Sequence, residues 1–176
     1  MEDVLLCFVY EPKLRSSRMG LTTTKISTKH YPSFVDDGLA TMLFWYFLYN
    51  IQWVDGVRSK HGFTRKARPM LLGMDPELDG IIEDVLDRLD IPLAKVYGIY
   101  MNYYRDGNDF TPNHSHPGMC QVIISLGASR TLTMAKKSYA MANGDVIIFG
   151  SSVHGVQKDP SCVDGRISIA LFVERS

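Results

Sequence analysis

Closely spaced strands dominate the second half of this sequence. From Lys95 onward, five short runs of β-forming residues are separated by turn-forming Gly, Asn, Asp and Pro. The runs are "KVYGIYMNYY", "MCQVIISLG", "RTLTMAKK", "DVIIFG" and "RISIALFV". Such a series predicts a sandwich or a jelly-roll barrel, because short strands joined by turns pair with one another in sheets. In a barrel of this kind, functional residues are expected inside the mouth.

Two helices are predicted ahead of the strands. The segment from Val35 to about Gln52 is apolar on nearly every side, which indicates a buried helix. The second helix has an N-cap at Asp75 and a proline, Pro76, at its first position. Its apolar residues follow the i, i+3, i+4, i+7 spacing and are Leu78, Ile81, Ile82, Val85, Leu86 and Leu89. The order of elements therefore predicts an α+β domain with helices packed on one outer face of the barrel.

Length and charge set broad limits on the function. The 176 residues predict a single domain spanning 1–176, large enough to bury a core of its own. The 19 basic and 19 acidic residues balance, so net charge argues neither for nor against a nucleic-acid partner. The three cysteines, Cys7, Cys120 and Cys162, form no C-x-x-C motif. We therefore expect a reducing intracellular compartment, cytoplasmic or nuclear.

No membrane segment is expected. The apolar stretch at residues 38–54 is interrupted by Asn50 and Gln52 and is better interpreted as a core helix. The apolar run at residues 4–10 is short and follows two acidic residues, so it does not fit a signal peptide.

Two histidines lie one residue apart in "TPNHSHPGM", at the end of a predicted strand. Residues i and i+2 of a strand point to the same side, so His114 and His116 are expected to face the same way. A third histidine, His154, follows the strand "DVIIFG". A single histidine is more often solvated or hydrogen-bonded than a metal ligand, but the pair and the third residue together favour a metal site. Three imidazoles suit zinc, iron, copper or nickel.

Polar residues on two other strands point toward a carboxylate ligand. Asn102 and Tyr104 share one face of "IYMNYY", and Arg166 and Ser168 share one face of "RISIALF". An arginine beside a hydroxyl is well suited to hold a carboxylate through paired, charge-assisted hydrogen bonds. Taken singly, these residues also fit ordinary barrel-lining polar groups and a surface charge at a strand start. Their combination with the histidines favours a functional site.

The motifs "NYYRDGNDFTPNHSH", "ISLGASRTL", "NGDVIIFGSSVHGV" and "RISIALF" resemble the C-terminal core of the AlkB family of iron and 2-oxoglutarate dioxygenases. The resemblance covers roughly residues 30 to 173 and is weaker at "YPSFV" and "RKARPML". It implies a double-stranded β-helix (jelly-roll) core at residues 95–176. It also implies that residues 1–94 supply the N-terminal helices and a nucleotide-recognition region. Ferrous iron, Fe(II), 2-oxoglutarate and O2 are the implied cofactors and co-substrates.

Residue roles follow from the same resemblance. His114 and His154 correspond to iron ligands, and Asn102 and Tyr104 correspond to 2-oxoglutarate contacts. Arg166 corresponds to the clamp on the far carboxylate of 2-oxoglutarate. We add Ser168 as a further contact from its position beside Arg166.

Two positions depart from the family pattern. His116 stands where the family has a metal-binding Asp, so the predicted metal ligands become three histidines without a carboxylate. Phe172 stands six residues after Arg166, where the family has a second Arg. Because six is an even number, Phe172 is expected to point inward beside Arg166 and to place an apolar wall in the substrate or co-substrate pocket.

A basic stretch, "RSKHGFTRKAR" at residues 58–68, suggests the substrate. Its Arg65, Lys66 and Arg68 are predicted to bind phosphates, and Phe63 is predicted to stack on an extruded base. The alternative interpretation is a solvated basic loop. With the family resemblance, the stretch predicts a DNA-repair-type enzyme that removes alkyl groups oxidatively from N-alkylated bases of DNA or RNA.

Two other functions stay open at this point. A cupin-like metalloenzyme acting on a small molecule also carries an H-x-H pair and a later histidine. It is disfavoured because no glutamate closely follows His116 and because Asn102, Tyr104 and Arg166 are present. The other alternative is a nucleic-acid-binding relative whose catalysis is impaired by the exchange of Asp for His116.

Overall fold

The computed structural model describes residues 27–55, 65–135 and 137–174. The helices are α1 (Asp37–Asn50) and α2 (Pro76–Arg88), and a single 3-10 turn spans Leu93–Lys95. The strands are β1 (Lys29–Tyr31), β2 (Val54–Asp55), β3 (Lys66–Met70), β4 (Val96–Tyr104), β5 (Thr111–His114), β6 (Cys120–Gly127), β7 (Arg130–Met134), β8 (Lys137–Met141), β9 (Val146–Phe149), β10 (His154–Val156) and β11 (Arg166–Val173).

The strands form two facing antiparallel sheets. The larger sheet has the order β1-β9-β6-β11-β4-β3-β2, and the smaller sheet has the order β5-β10-β7-β8. From β4 onward the chain passes repeatedly from one sheet to the other, which is the winding of a double-stranded β-helix. The predicted jelly-roll fold with α+β composition is therefore confirmed.

Both predicted helices lie against the outer face of the larger sheet. The side chain of Asp36 accepts a hydrogen bond from the Leu39 amide, and that of Asp75 accepts one from the Leu78 amide. The α2 stripe joins the apolar residues of β4, β6 and β11 in one core. Helix α1 differs from the prediction of burial on nearly every side, because the outward Trp45 and Tyr49 are exposed to solvent. Among the described residues, no helix is long and apolar enough to cross a membrane.

A second cluster of buried apolar residues, which includes Leu132, Met141 and Phe149, lies between the two sheets. Along β11 the side chains alternate, so that Ile167, Ile169 and Leu171 join the core under the helices. Arg166, Ser168, Ala170 and Phe172 therefore face the interior between the sheets and line a cavity there. This alternation gives the larger sheet one face that packs under the helices and one face that lines the cavity.

A buried arginine fixes the loop between β4 and β5. Arg130 donates hydrogen bonds to the carbonyls of Asp106, Asp109 and Gln157, at 2.8, 2.8 and 2.7 Å. Gly107 in this loop exchanges backbone hydrogen bonds with the segment that precedes β11, at 2.7 and 2.8 Å. Because β5 begins directly after the loop, these contacts set the position of the strand that carries His114.

Replacing Gly107 with Ala should destabilise the protein by about 2–4 kcal/mol, because a Cβ atom there would overlap the backbone carbonyl of Asp159. Gly80 is the matched control, since it lies inside α2 with no atom within 4 Å of an added Cβ. Gly80→Ala should stabilise by about 0.5–1 kcal/mol. Urea unfolding measures both variants, and equal effects of the two substitutions would contradict the packing argument.

Candidate metal centre and co-substrate cavity

Three histidines converge where β5 and β10 meet. His114 ends β5 and is the cross-strand partner of His154, which begins β10, and His116 lies just beyond β5. One nitrogen from each imidazole lies within 4.8 Å of the others. The ring centroid of His114 lies 4.4 Å from that of His154 and 4.8 Å from that of His116. Small side-chain adjustments would therefore bring all three nitrogens onto one ion at metal–nitrogen distances of about 2.0–2.1 Å.

Backbone carbonyls orient two of the rings. Nδ1 of His114 lies 2.9 Å from the carbonyl oxygen of Pro112, and Nδ1 of His154 lies 2.9 Å from that of Ser152. A carbonyl only accepts, so each Nδ1 carries the proton and each Nε2 keeps its lone pair for a metal. His116 instead packs edge-on against Phe172, with ring centroids 5.1 Å apart.

The surroundings of His154 and His116 favour the neutral form of these two side chains. Burial lowers the pKa of His154 to about 4, against the opposing effect of its hydrogen bond to Ser152, and the neighbouring His114 and His116 lower it further. Burial also lowers the pKa of His116, with a smaller contribution from His114. Neutral imidazole is the form that binds a metal, so at neutral pH these two side chains would need to lose no proton on binding one.

The histidines open onto a cavity of about 320 Å³ between the sheets. Exposure rises along the inward side of β11, from 1% at Arg166 through 4% at Ser168 and 7% at Ala170 to a half-buried Phe172. The same trend runs along β4, from buried Tyr104 to exposed Tyr97. The cavity therefore has a closed end at Arg166 and an open end at Phe172.

The closed end carries a buried positive charge with spare hydrogen-bonding capacity. Arg166 donates from Nε to Ser125 Oγ at 2.9 Å, and its guanidinium lies 5.4 Å from the centre of the Tyr104 ring. Its Nη1 is buried and has no hydrogen-bond partner, and no carboxylate pairs with it in the described part of the chain. Burial lowers the pKa of Arg166. A buried guanidinium of this kind is suited to an anionic ligand such as a carboxylate.

The other predicted co-substrate contacts lie beside Arg166. Asn102 donates from Nδ2 to Ser168 Oγ at 3.3 Å, and the hydroxyl of Tyr104 lies 2.7 Å from that of Thr111. Arg65, predicted to bind substrate phosphate, instead reaches into the closed end, where its Nε donates to Asn102 Oδ1 at 2.6 Å. Strand alternation in "RKARPM" is the sequence signal that separates Arg65 from its basic neighbours.

The remaining predicted substrate contacts are placed differently. Lys66 and Arg68 pair with Tyr103 and Met101 of β4, whose side chains pack under the helices, so both lie on the face of the sheet away from the cavity. Lys66 also forms an ion pair with Asp55. Phe63 lies outside the described residues. Phe172 lines the cavity, on the side expected from its spacing.

Gln121 is a cavity residue that the sequence analysis missed. It faces inward from β6, is 2% exposed, and its Nε2 has no hydrogen-bond partner among the described residues. Its place inside an otherwise apolar run, "CQVIISLG", is the signal that marks it.

Comparison with known proteins identifies the fold. No protein-family model matches the chain, and no curated protein matches its sequence. Among solved structures, a prolyl-4-hydroxylase of Pseudomonas putida aligns with a TM-score of 0.64 at 14% identity, over 86% of this chain and 94% of that one. A 2OG-Fe(II) oxygenase family protein from Burkholderia pseudomallei aligns with a TM-score of 0.60 at 17% identity, over 85% of both chains.

The epimerase SnoN of nogalamycin biosynthesis, solved with Fe3+, alpha ketoglutarate and nogalamycin RO, also aligns. Its TM-score is 0.64 at 12% identity, over 84% of this chain and 78% of that one. This chain has the same fold as these three proteins. The narrower resemblance to AlkB proteins stays a prediction from the sequence.

The depressed histidine pKa values predict how stability depends on pH in the metal-free protein. Between pH 6.5 and 4, His154 is protonated in the unfolded chain but not in the folded chain. Because the unfolded state binds more protons in this range, the free energy of unfolding falls as the pH falls. From pH 7 to pH 5, His154 alone should remove about 2 kcal/mol. Urea unfolding with a chelator present measures this slope, which should be shallower in His154→Gln. An unchanged slope in that variant would contradict the assignment.

Proposed function

We propose that this protein is an Fe(II)- and 2-oxoglutarate-dependent oxygenase. One observation carries the proposal: three convergent histidines share a cavity with a buried arginine whose Nη1 has no partner. A metal site and a carboxylate site in one cavity fit a metal-chelating dicarboxylate. Two structural neighbours, the alpha ketoglutarate dependent epimerase SnoN and the 2OG-Fe(II) oxygenase family protein of Burkholderia pseudomallei, support the same class.

In this proposal His114, His116 and His154 hold the iron. Three neutral imidazoles leave the full charge of a divalent ion, which a 2-oxoglutarate dianion would offset. When bound, the iron, O2 and 2-oxoglutarate supply the oxidation: 2-oxoglutarate loses carbon dioxide to give succinate, and one C–H bond of the substrate becomes C–OH.

The closed end of the cavity would hold the far carboxylate of 2-oxoglutarate. Arg166 supplies the free Nη1 donor, and its Nε contact with Ser125 fixes the plane of the guanidinium. Arg65, which directly precedes β3, adds a second positive charge through its contact with Asn102. Burial of this end excludes water and strengthens the electrostatic attraction for a carboxylate.

The substrate predicted from the sequence, an N-alkylated nucleic-acid base, is the narrower form of this proposal. Its support is the basic stretch, of which residues 58–64 lie outside the described structure. Lys66 and Arg68 lie on the face of the sheet away from the cavity, so phosphate binding near the metal would depend on other residues.

The reaction class can be tested with ferrous iron and 2-oxoglutarate. We expect a visible charge-transfer band on anaerobic mixing and succinate release in air, and loss of both in His154→Ala.

His116→Asp should preserve or raise turnover, because it introduces a carboxylate ligand. Metal binding without the band would favour the cupin-like alternative, and a band without succinate would favour a catalytically impaired relative. Abolished turnover in His116→Asp would show that the histidine is specifically required.

Variants at the closed end test the carboxylate site. Arg166→Met should weaken 2-oxoglutarate binding about 100-fold, because it removes a buried, charge-assisted contact. Arg65→Met should weaken it about tenfold. Lys66→Met is the matched control and should change it less than about twofold, since Lys66 lies on the opposite face. Anaerobic titration of the charge-transfer band measures all three, and an effect of Lys66→Met equal to that of Arg65→Met would contradict this placement.

A further inference from the structure

The open end of the cavity is aromatic. Phe172 lies between His116 and Tyr97, with ring centroids 5.1 and 6.3 Å away. Tyr97 is 40% exposed and stands at the rim, where a register shift interrupts the pairing of β4 with β11. Tyr100 also lines the cavity, deeper along β4, where it pairs with Ala170 of β11. A ligand that approaches the histidines from this side therefore passes ring surfaces first.

Gln121 provides the polar group of this end. It is the cross-strand neighbour of Phe172 on one side and of Phe149 on the other. Phe172 contacts His116, and Phe149 contacts His154 with ring centroids 4.8 Å apart. The amide thus lies on the wall that faces the histidine cluster. Its buried Nε2 has no partner among the described residues, although a buried donor without a partner costs about 1–3 kcal/mol.

The charges around the cavity select against ions at the open end. The two arginines that line the cavity, Arg65 and Arg166, belong to the closed end, and no acidic residue of the described chain lines it. Glu174 is close enough to Tyr97 to contribute, after burial and Cys120, to the raised pKa of that phenol. A negative charge at the rim repels polyanions, and the described cavity lining offers no carboxylate to pair with an entering cation.

We propose that the open end is a subsite for a small, uncharged aromatic substrate that carries a carbonyl or another neutral hydrogen-bond acceptor. The rings of Phe172 and Tyr97 pack against the substrate, and Gln121 Nε2 donates to the acceptor. This inference names the substrate class of the proposed oxygenase and rests on that function for its consequence, but the binding itself requires neither iron nor 2-oxoglutarate.

Three probes of equal ring size test the subsite: 2-naphthamide, 2-methylnaphthalene and 2-naphthoate. Saturation-transfer NMR and titration on the metal-free full-length chain should rank 2-naphthamide first. Gln121→Met should weaken 2-naphthamide binding about tenfold, the equivalent of one lost hydrogen bond, and leave 2-methylnaphthalene unchanged. Phe172→Ala should weaken both neutral probes. Tyr49→Ala is the matched control, because Tyr49 is an exposed aromatic residue on α1, and it should change neither.

Several results would overturn the subsite. They are no binding of 2-naphthamide, equal affinity of Gln121→Met and wild type for it, or tighter binding of 2-naphthoate. Preferential binding of a single-stranded oligonucleotide with 1-methyladenine would assign the cavity to nucleic acid instead. The wild-type ranking of the probes needs no variant, so it tests the proposal even if Gln121→Met fails to fold. If the protein binds 2-naphthamide but does not turn over 2-oxoglutarate, the oxygenase proposal is rejected and the subsite is kept. If it turns over 2-oxoglutarate but does not bind 2-naphthamide, only the subsite is rejected.

Discussion

The pairing of β11 with β4 and β6 is the constraint on which the rest of the site depends. Strand β11 lies in the middle of the larger sheet and pairs with both neighbours from Arg166 to Val173. The register places Arg166 opposite Tyr104, Ser168 opposite Asn102, and Phe172 opposite Gln121. A slip of one residue would turn every inward side chain toward the helices and remove the cavity lining. The apolar alternation of Ile167, Ile169 and Leu171, buried under the helices, holds this register.

The two positions that depart from the AlkB pattern are neighbours in space. His116 and Phe172 are far apart in sequence, yet their rings touch edge to face. Where the AlkB pattern, which stays a prediction from the sequence, has an aspartate and an arginine, this chain has an imidazole and a phenyl ring. The carboxylate and the guanidinium of that pattern are thus absent together, and two rings in contact stand in their place. The pair joins an apolar entrance to a candidate metal site without a carboxylate ligand.

Local patterns explain how much of this could be predicted from the sequence. The 3.6-residue period of α2 and its caps predict the helix, and the two-residue period of the later runs predicts the strands. The strand-end positions of His114, His116 and His154 predicted a cluster that the structure places together. Contacts across the sheet are not local. Alternation marks the side on which Arg65 lies and the apolar run marks Gln121, but their contacts with Asn102 and with the residues beside the histidines follow only from strand order, as do the short edge strands β1 and β2. The exposed face of α1 escaped prediction because aromatic residues line both of its sides.

Two buried arginines near the same tyrosine differ in their hydrogen-bond partners. Both guanidiniums lie near the ring of Tyr104, at 5.7 Å for Arg130 and 5.4 Å for Arg166. Arg130 directs its two terminal nitrogens to backbone carbonyls and thereby ties together loops that no strand pairing joins. Arg166 has the Ser125 hydroxyl and a terminal nitrogen without a partner. Each arginine also leaves one buried nitrogen without a partner, Nε in Arg130 and Nη1 in Arg166, but of the two only Arg166 lines the cavity. A buried charged donor without a partner costs stability, and an anion in the cavity could satisfy the free donor of Arg166 but not that of Arg130.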